Sequence, residues 1–451
     1  MRTSDADCVP EIASATPAPT AAERWFAGLV LLMSSGAFLL LIQDEEALAS
    51  GARAGTLVTN AIWIAVYLAT AYFIWKYGKR STIYRSKIWH LLAILGVAFV
   101  SVLWSDNAAL TFVKAAALLG TSIVGYYLAV RFTASELLLI LARVYQVSAI
   151  LSLAFVFLLP AFGVGSDEFA GMWRGIYGHK NLLGMNMALA FLLFSVLSIN
   201  SRTGGWVYRF SAALSLVLVF LSQSATSLVV CGVIAVCLIV RVLYRNHFKA
   251  LVIVAVSLFA IVIATGGIIS DPGRAAAAID RDPTLTGRTV LWAVVWTMIV
   301  EHPYLGYGYG AFWRGNNGPS ADVWKLSGFE AFYSHNGFLD VWLDLGVLGL
   351  ALLLVSLLIT FRAAFRLGRT TSTMEGSWPF LFLVYLLISN LTEGSLLRIN
   401  FLPWILYVSV TIQLSSTTVH NWNRGGRTLA NEVPSLNSQP VPGNGLGSGL
   451  E

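Results

Sequence analysis

Apolar runs of about twenty residues recur from one end of this chain to the other. LVTNAIWIAVYLATAYFIW at 57–75 is one of them, and SLVVCGVIAVCLIV at 227–240 and GVLGLALLLVSLLIT at 346–360 are the most apolar parts of two others. As helices rising 1.5 Å per residue, such runs match the roughly 30 Å hydrocarbon thickness of a bilayer. In lipid, only helices and closed barrels satisfy every backbone polar group, and a barrel needs alternating segments of about ten residues, which this sequence lacks. The chain is therefore expected to be all-α and polytopic. Composition agrees: of 451 residues 57% are hydrophobic and 12% charged, with a mean hydropathy of +0.72. In soluble domains charged residues alone make up about a quarter.

The runs are read as about twelve spans, near 25–42, 57–75, 89–105, 109–130, 136–159, 181–199, 207–222, 226–243, 250–270, 336–361, 378–392 and 397–416. Residues 1–24 carry acids and prolines rather than a short basic leader, so the first run reads as a retained span. Alternate connectors hold Lys76, Lys79, Arg80, Arg85 and Lys87, then Arg131, Arg202, Arg209, Arg241, Arg245, Lys249, Arg362, Arg366 and Arg369. The positive-inside rule makes these cytoplasmic, and the net charge of +6 marks loops rather than a nucleic-acid partner. Both termini are then cytoplasmic, with disordered tails at 1–24 and 417–451. Spans one to nine fill 25–270, a large periplasmic loop covers 271–335, and spans ten to twelve fill 336–416. Cys8, Cys231 and Cys237 lack metal-ligand spacing, and the last two read as small core residues. No Gly-rich phosphate loop or ATP motif occurs, so energy must come with the substrate or from an ion gradient.

Polar residues collect between Ser270 and Gly349. Within that loop RTVLWAVVWTMIVE (288–301) is helical but too short to span; Thr286 and Gly287 start it and Pro303 stops it. Trp292 and Trp296 suit an interfacial depth. GYGYGAFW (306–313) is a glycine–aromatic turn, either a tight turn against the helix or a surface whose rings could face sugars. His335 stands where the loop meets the tenth span and is a proton-transfer candidate or a structural interface residue. Asp340 and Asp344 follow on one helical face, with Asp344 roughly 13 Å deeper than His335. Carboxylates there either face a polar cavity or bond between helices. A second cluster, Arg174, His179, Lys180 and Asn181, opens the sixth span, where it either binds an anion at the free N–H groups or simply caps the helix with cations that snorkel to the interface. Arg288 is another guanidinium at a helix start, able to grip phosphate bidentately. Glu393 and Arg398 read as an ion pair at a hairpin end.

RGIYGHKNLLG, TGRTVLW, EHPYLGYGYGAF and SHNGFLDVWLDLGVLGL together resemble the successive motifs of the O-antigen ligase and polysaccharide polymerase family, most closely its ExoQ-type exopolysaccharide polymerases. The resemblance is concentrated over about 165–361. It implies a metal-independent, inverting glycosyltransferase without a cofactor, in a GT-C-like arrangement on the periplasmic face of the bacterial inner membrane. The implied donor is an undecaprenyl-diphosphate-linked glycan. The acceptor is another lipid-linked repeat unit in a polymerase or lipid A–core in a ligase, and chain-length and export proteins are further partners. The family's histidine matches His335, its outward arginines match Arg288 and Arg174, and Lys180, His179, Asn181, Asn336 and Asp340 complete the implied diphosphate and sugar contacts. Family members often carry a Ser-Arg pair where this chain has Ser222-Gln-Ser-Ala-Thr-Ser227, so Arg174 or Lys180 would have to supply that charge. A flippase of lipid-linked sugar is the alternative class, but its site would lie nearer the bilayer midplane. A channel would need a filter-like sequence, and none is present.

Overall fold

A computed structural model describes residues 17–38, 57–78, 87–166, 169–201, 205–244, 249–258, 288–328, 330–371 and 373–415. Residues 1–16 and 417–451 of the expected tails, the ends of the first and ninth expected spans (39–42 and 259–270), the connector at 79–86 and the first part of the large loop, Thr286 and Gly287 included, lie outside these. Residues 17–24, expected as disordered tail, are instead structured, Thr20 capping a helix that begins at Ala21. The described chain is all-helical, with two isolated β-bridges and no strand among the described residues. Seven helices are long and apolar enough to cross a membrane. In chain order with the shorter ones, the elements are α1 (Ala21–Ser34), α2 (Leu57–Tyr77), α3 (Trp89–Val100), α4 (Ala108–Arg131), α5 (Ala134–Leu158) and α6 (Pro160–Gly163). They continue as α7 (Lys180–Asn200), α8 (Gly205–Ser222), α9 (Ala225–Leu243), α10 (Lys249–Leu258), α11 (Arg288–Glu301), α12 (Ser320–Ser327), α13 (Gly337–Thr370), α14 (Trp378–Ser389) and α15 (Leu402–Ser415).

The seven long helices, α2, α4, α5, α7, α8, α9 and α13, coincide with seven of the expected spans. The other five expectations fall on shorter apolar helices: α1, α3, α10, α14 and α15. Polar caps start the helices. Thr20 with Glu23 and Thr133 with Glu136 form reciprocal capping boxes, and Asn107 caps α4 by accepting the Leu110 amide.

The bundle is built around α7, α14 and α15, whose apolar side chains are almost all buried, while α2 lies at its edge. Arg131 and Arg241 close one end of it. Both are buried: Arg131 grips the Glu23 carboxylate through Nε and Nη2 at 2.8 and 3.1 Å, and Arg241 donates to Ser377 Oγ at 2.8 Å. At the opposite end, segment 288–345 forms a small core of its own from Leu291, Val295, Tyr307, Phe312, Val323 and Leu343.

That segment is locked to α13 by a break in the helix. Gly346 has φ +65° and ψ −168°, and a Cβ there would fall 2.2 Å from the Tyr304 carbonyl. The Tyr307 and Gly308 amides donate to the Leu343 and Asp344 carbonyls at 2.8 and 3.0 Å. In the glycine–aromatic stretch the tight turn is observed: Tyr307, Tyr309 and Phe312 are buried, while Trp313 is half-buried.

Candidate functional site

Glu393 gathers the site. It lies in the connector between α14 and α15, which Asn390 shapes by accepting the Ser395 and Leu396 amides at 2.8 and 3.1 Å. The Glu393 side chain is only 5% exposed, yet both of its oxygens are engaged. Oε1 accepts from Arg288 Nη2 at 3.0 Å and from Asn181 Nδ2 at 2.8 Å. Oε2 accepts from the Tyr333 hydroxyl at 2.8 Å and stands 3.5 Å from His335 Nδ1, an ion-pair contact rather than a short hydrogen bond. Burial alone would raise this carboxyl, but His335, the Arg288 charge and the Tyr333 hydroxyl more than offset it and hold it at about 2. Glu393 is thus an anion across neutral pH. The expected pairing of Glu393 with Arg398 is corrected: its partner is Arg288, while Arg398 donates to the Gly394 carbonyl and lies over the Phe401 ring.

His335 is set by backbone geometry as much as by contacts. Its φ of +54° is left-handed, uncommon for a residue with a side chain and characteristic of functional turns. Three bonds impose it. Asp340 Oδ1 accepts the Ser334 amide at 2.8 Å and the Trp313 indole N–H at 2.9 Å, and Trp292 Nε1 donates to the Ser334 carbonyl at 2.8 Å. Asp340 therefore holds the turn that carries His335. Gly394 lets it in, because a Cβ there would stand 2.6 Å from Asp340 Oδ2. The imidazole packs on the Tyr333 ring with centroids 4.1 Å apart. Trp292, expected at an interface, points into the site, whereas Trp296 is half exposed against Trp342.

Arg288 begins α11, with Nη1 donating to the Thr392 carbonyl at 2.8 Å as well as Nη2 to Glu393. Asn336 caps α13, accepting the Phe338 and Leu339 amides at 3.0 and 3.3 Å and donating to the Leu391 carbonyl, so its side chain is spent on the fold. His179 caps α7 by accepting the Asn181 amide on Nδ1 at 3.2 Å. Burial lowers its pKa, against the opposing charge of Glu393. Together with Lys180 and Arg174 it lines a cavity of about 330 Å³ that also takes in Gly165, Ser166, Phe169, Met172 and Gly178. The turn Ser222–Ser227 docks beside it: Thr226 and Thr392 share a 2.7 Å hydrogen bond, and Gly184 of α7 packs on Ser224 and Ser227.

The two clusters, some 110 residues or more apart in sequence, therefore meet at one end of the bundle, and the Asn181–Glu393 bond joins them. Asp344 ties the glycine–aromatic turn to α13, its carbonyl accepting the Gly308 amide at 3.0 Å. Two junction residues escaped the sequence reading as site residues. Tyr333 had no signal beyond lying two residues before His335. Glu393 had one, a lone acid in an apolar stretch. Among the described residues no group of three or more His, Cys, Asp or Glu is placed to hold a metal ion. Cys231 and Cys237 are buried and unbonded, as expected of core residues.

Residues 210–354 match the family model described as O-antigen ligase. The chain is 30% identical over 197 residues to the exopolysaccharide production protein ExoQ of Rhizobium meliloti (strain 1021). That match covers 42% of this chain and 45% of ExoQ, less than half of either.

Proposed function

We propose that this multi-pass membrane protein is a member of the O-antigen ligase and polysaccharide polymerase family and joins glycans by glycosyl transfer from an undecaprenyl-diphosphate-linked donor on the periplasmic face of the bacterial inner membrane. The observation that carries the reading is the junction itself. A histidine in a constrained turn, an arginine and an asparagine converge from three distant segments on one buried carboxylate. Such an arrangement fixes an imidazole and concentrates positive charge beside it.

In this reading Glu393 holds the Nδ1 side of His335, and Nε2 takes the proton of the acceptor hydroxyl. The hydroxyl oxygen attacks the anomeric carbon and forms the new C–O bond. The bond from that carbon to the diphosphate oxygen breaks, and its electron pair leaves with the diphosphate. Positive side chains around the junction stabilise the charge that develops. One direct displacement inverts the anomeric configuration. Cleavage of the sugar–diphosphate bond supplies the driving force, in keeping with the missing nucleotide motif. Asp340 and Trp313 position the histidine.

The ExoQ likeness favours a polymerase that adds repeat units to one another. The family model's description favours the second reading, a ligase with a lipid A–core acceptor. Purified protein incubated with a lipid-linked repeat unit alone tests both. A ladder of products is expected of the polymerase. Product that appears only after lipid A–core is added would make it a ligase. No product in either mixture, or a ladder from His335→Ala equal to wild type, would overturn glycosyl transfer by this site.

A further inference from the structure

One side chain, Tyr333, touches both the histidine and the carboxylate of the junction. Its hydroxyl donates to Glu393 Oε2 at 2.8 Å, and its ring packs on the His335 imidazole with centroids 4.1 Å apart. The backbone between them imposes both contacts. Ser334 is fully buried, its amide held by Asp340, its carbonyl by Trp292, and its hydroxyl donating to the Asn336 carbonyl at 2.7 Å. With that residue pinned and His335 in the left-handed region, the side chains on either side of Ser334 meet. Gly394 makes room for them, because a Cβ there would stand 3.2 Å from Tyr333 Cδ2 as well as 2.6 Å from Asp340 Oδ2. The Arg398 guanidinium lies over the same tyrosine ring, 5.7 Å from its centroid, and the attraction steadies the ring further.

Packing accounts for an aromatic ring at 333 but not for its hydroxyl. Any aromatic face would serve the imidazole. The hydroxyl fills the short hydrogen-bonding position on Oε2, while His335 Nδ1 stands 3.5 Å from that same oxygen, beyond the usual range of an N–H···O bond. Two groups thus share one carboxylate oxygen, and the nearer, the tyrosine, takes the larger share of its charge. A carboxylate in closer contact with Nδ1 would favour the imidazolium, which cannot take a proton from a hydroxyl. Oε1 offers no substitute, since turning it toward Nδ1 would break its bonds to Arg288 and Asn181. The other charged and titratable groups facing the pair are Arg288 on α11, His179 and Lys180 at the start of α7, Asp340 on α13, and Arg398 before α15.

We infer that Tyr333 is the positioning residue that sets the strength of His335 as a base: its ring fixes the plane of the imidazole, and its hydroxyl holds Glu393 Oε2 back from Nδ1. The inference rests on the glycosyl-transfer reading for the base role of His335. It gives a function to a residue whose only mark in the sequence is its place two positions before that histidine.

Diethyl pyrocarbonate, which modifies neutral imidazole, tests this on full-length protein in nanodiscs, because the His335 side chain is 16% exposed. The rate at His335 is followed across pH by mass spectrometry of its peptide, beside kcat/KM for ladder formation from a lipid-linked repeat unit. Tyr333→Phe keeps the ring and loses the hydroxyl, so both profiles should move to higher pH by about one unit. Turnover lost below the acid limb should return above it with donor KM unchanged, whereas a packing defect would lower turnover at every pH. In Glu393→Gln the carboxylate is gone, and adding Tyr333→Phe should move the His335 profile no further. Tyr333→Leu, which lacks the ring, should lose turnover roughly tenfold or more at every pH. 3-Fluorotyrosine at position 333 keeps the shape and donates more strongly; it should move both profiles to lower pH, and it decides the matter if Tyr333→Phe does not fold. A Tyr333→Phe profile that coincides with wild type, or the same shift in the Glu393→Gln background, would overturn the assignment. The two readings fail separately. A His335 profile that follows Tyr333, in a protein that makes no glycan product, sinks the transfer reading and leaves the positioning. Ladders from wild type, with a Tyr333→Phe profile unmoved, sink the positioning and leave the transfer.

Discussion

Glu393→Gln is the substitution that most directly probes the junction. The side chain keeps its size and can still accept from Arg288 or Tyr333, but the negative charge between Arg288 and His335 is gone. Native surroundings hold this carboxyl at about 2 against an ordinary 4.5, a difference worth about 3 kcal/mol of stability above pH 4.5. Removing the charge of one member of a buried pair costs a similar amount, roughly 3–5 kcal/mol, because Arg288 then keeps only neutral acceptors, the Thr392 carbonyl and the Gln amide oxygen. If that energy is also missing from the transition state, kcat falls about a hundredfold. Because the folded-state pKa is depressed, the contribution is complete above about pH 4.5 and is lost as pH falls toward 2. The melting-temperature gap between wild type and Glu393→Gln should therefore be flat from about pH 5 to 8 and close below 4.5. Glu393→Asp, which restores charge at shorter reach, should recover part of both stability and turnover. The measurements are a fluorescence melt of purified protein over that pH range and ladder formation from a lipid-linked repeat unit. A Glu393→Gln protein with wild-type melting and wild-type turnover would refute the reasoning.

Asp340→Asn weakens acceptance of the Ser334 amide and the Trp313 indole N–H, so the His335 turn loosens; kcat should fall tenfold or more with donor KM little changed, read in the same ladder assay. Gly346→Ala puts a Cβ 2.2 Å from the Tyr304 carbonyl at a backbone geometry almost confined to glycine, and should cost at least about 2–3 kcal/mol, seen as lost monodisperse protein or a lowered melting temperature. Glu23→Ala removes the carboxylate that balances the buried Arg131 charge and should destabilise by about 3–5 kcal/mol without moving the donor KM of whatever protein folds, because it lies at the far end of the bundle.

What the sequence announced and what it concealed divide along the range of the interactions. Helices whose apolar runs exceed a bilayer's thickness were legible because hydropathy is a local sum, and seven long helices follow it closely. The shorter α3, α14 and α15 read as full spans because burial against other helices demands apolar residues just as lipid does, and α14 and α15 are buried almost throughout. Within the site, Arg174, Lys180, Arg288 and His335 stood out as polar residues at helix starts, and His179 shows its role as a cap directly. Glu393 misled because the nearest cation along the chain, Arg398, offered a plausible partner five residues away. The true partner lies 105 residues upstream, and no local pattern encodes that pairing. The Ser222–Ser227 turn is the instructive case between these extremes. Its lack of a basic residue reads from sequence as a gap in the site, yet Thr226 still reaches Thr392 beside Glu393, and Gly184 still admits its serines against α7. The turn builds the wall with hydroxyls, while the α7 start, one helix away, carries the cation. Position and charge are thus supplied by different segments, so a motif that couples them in a single pair of residues can be missing while Arg174 and Lys180 still line one cavity and Lys180 still lies within electrostatic reach of Arg288.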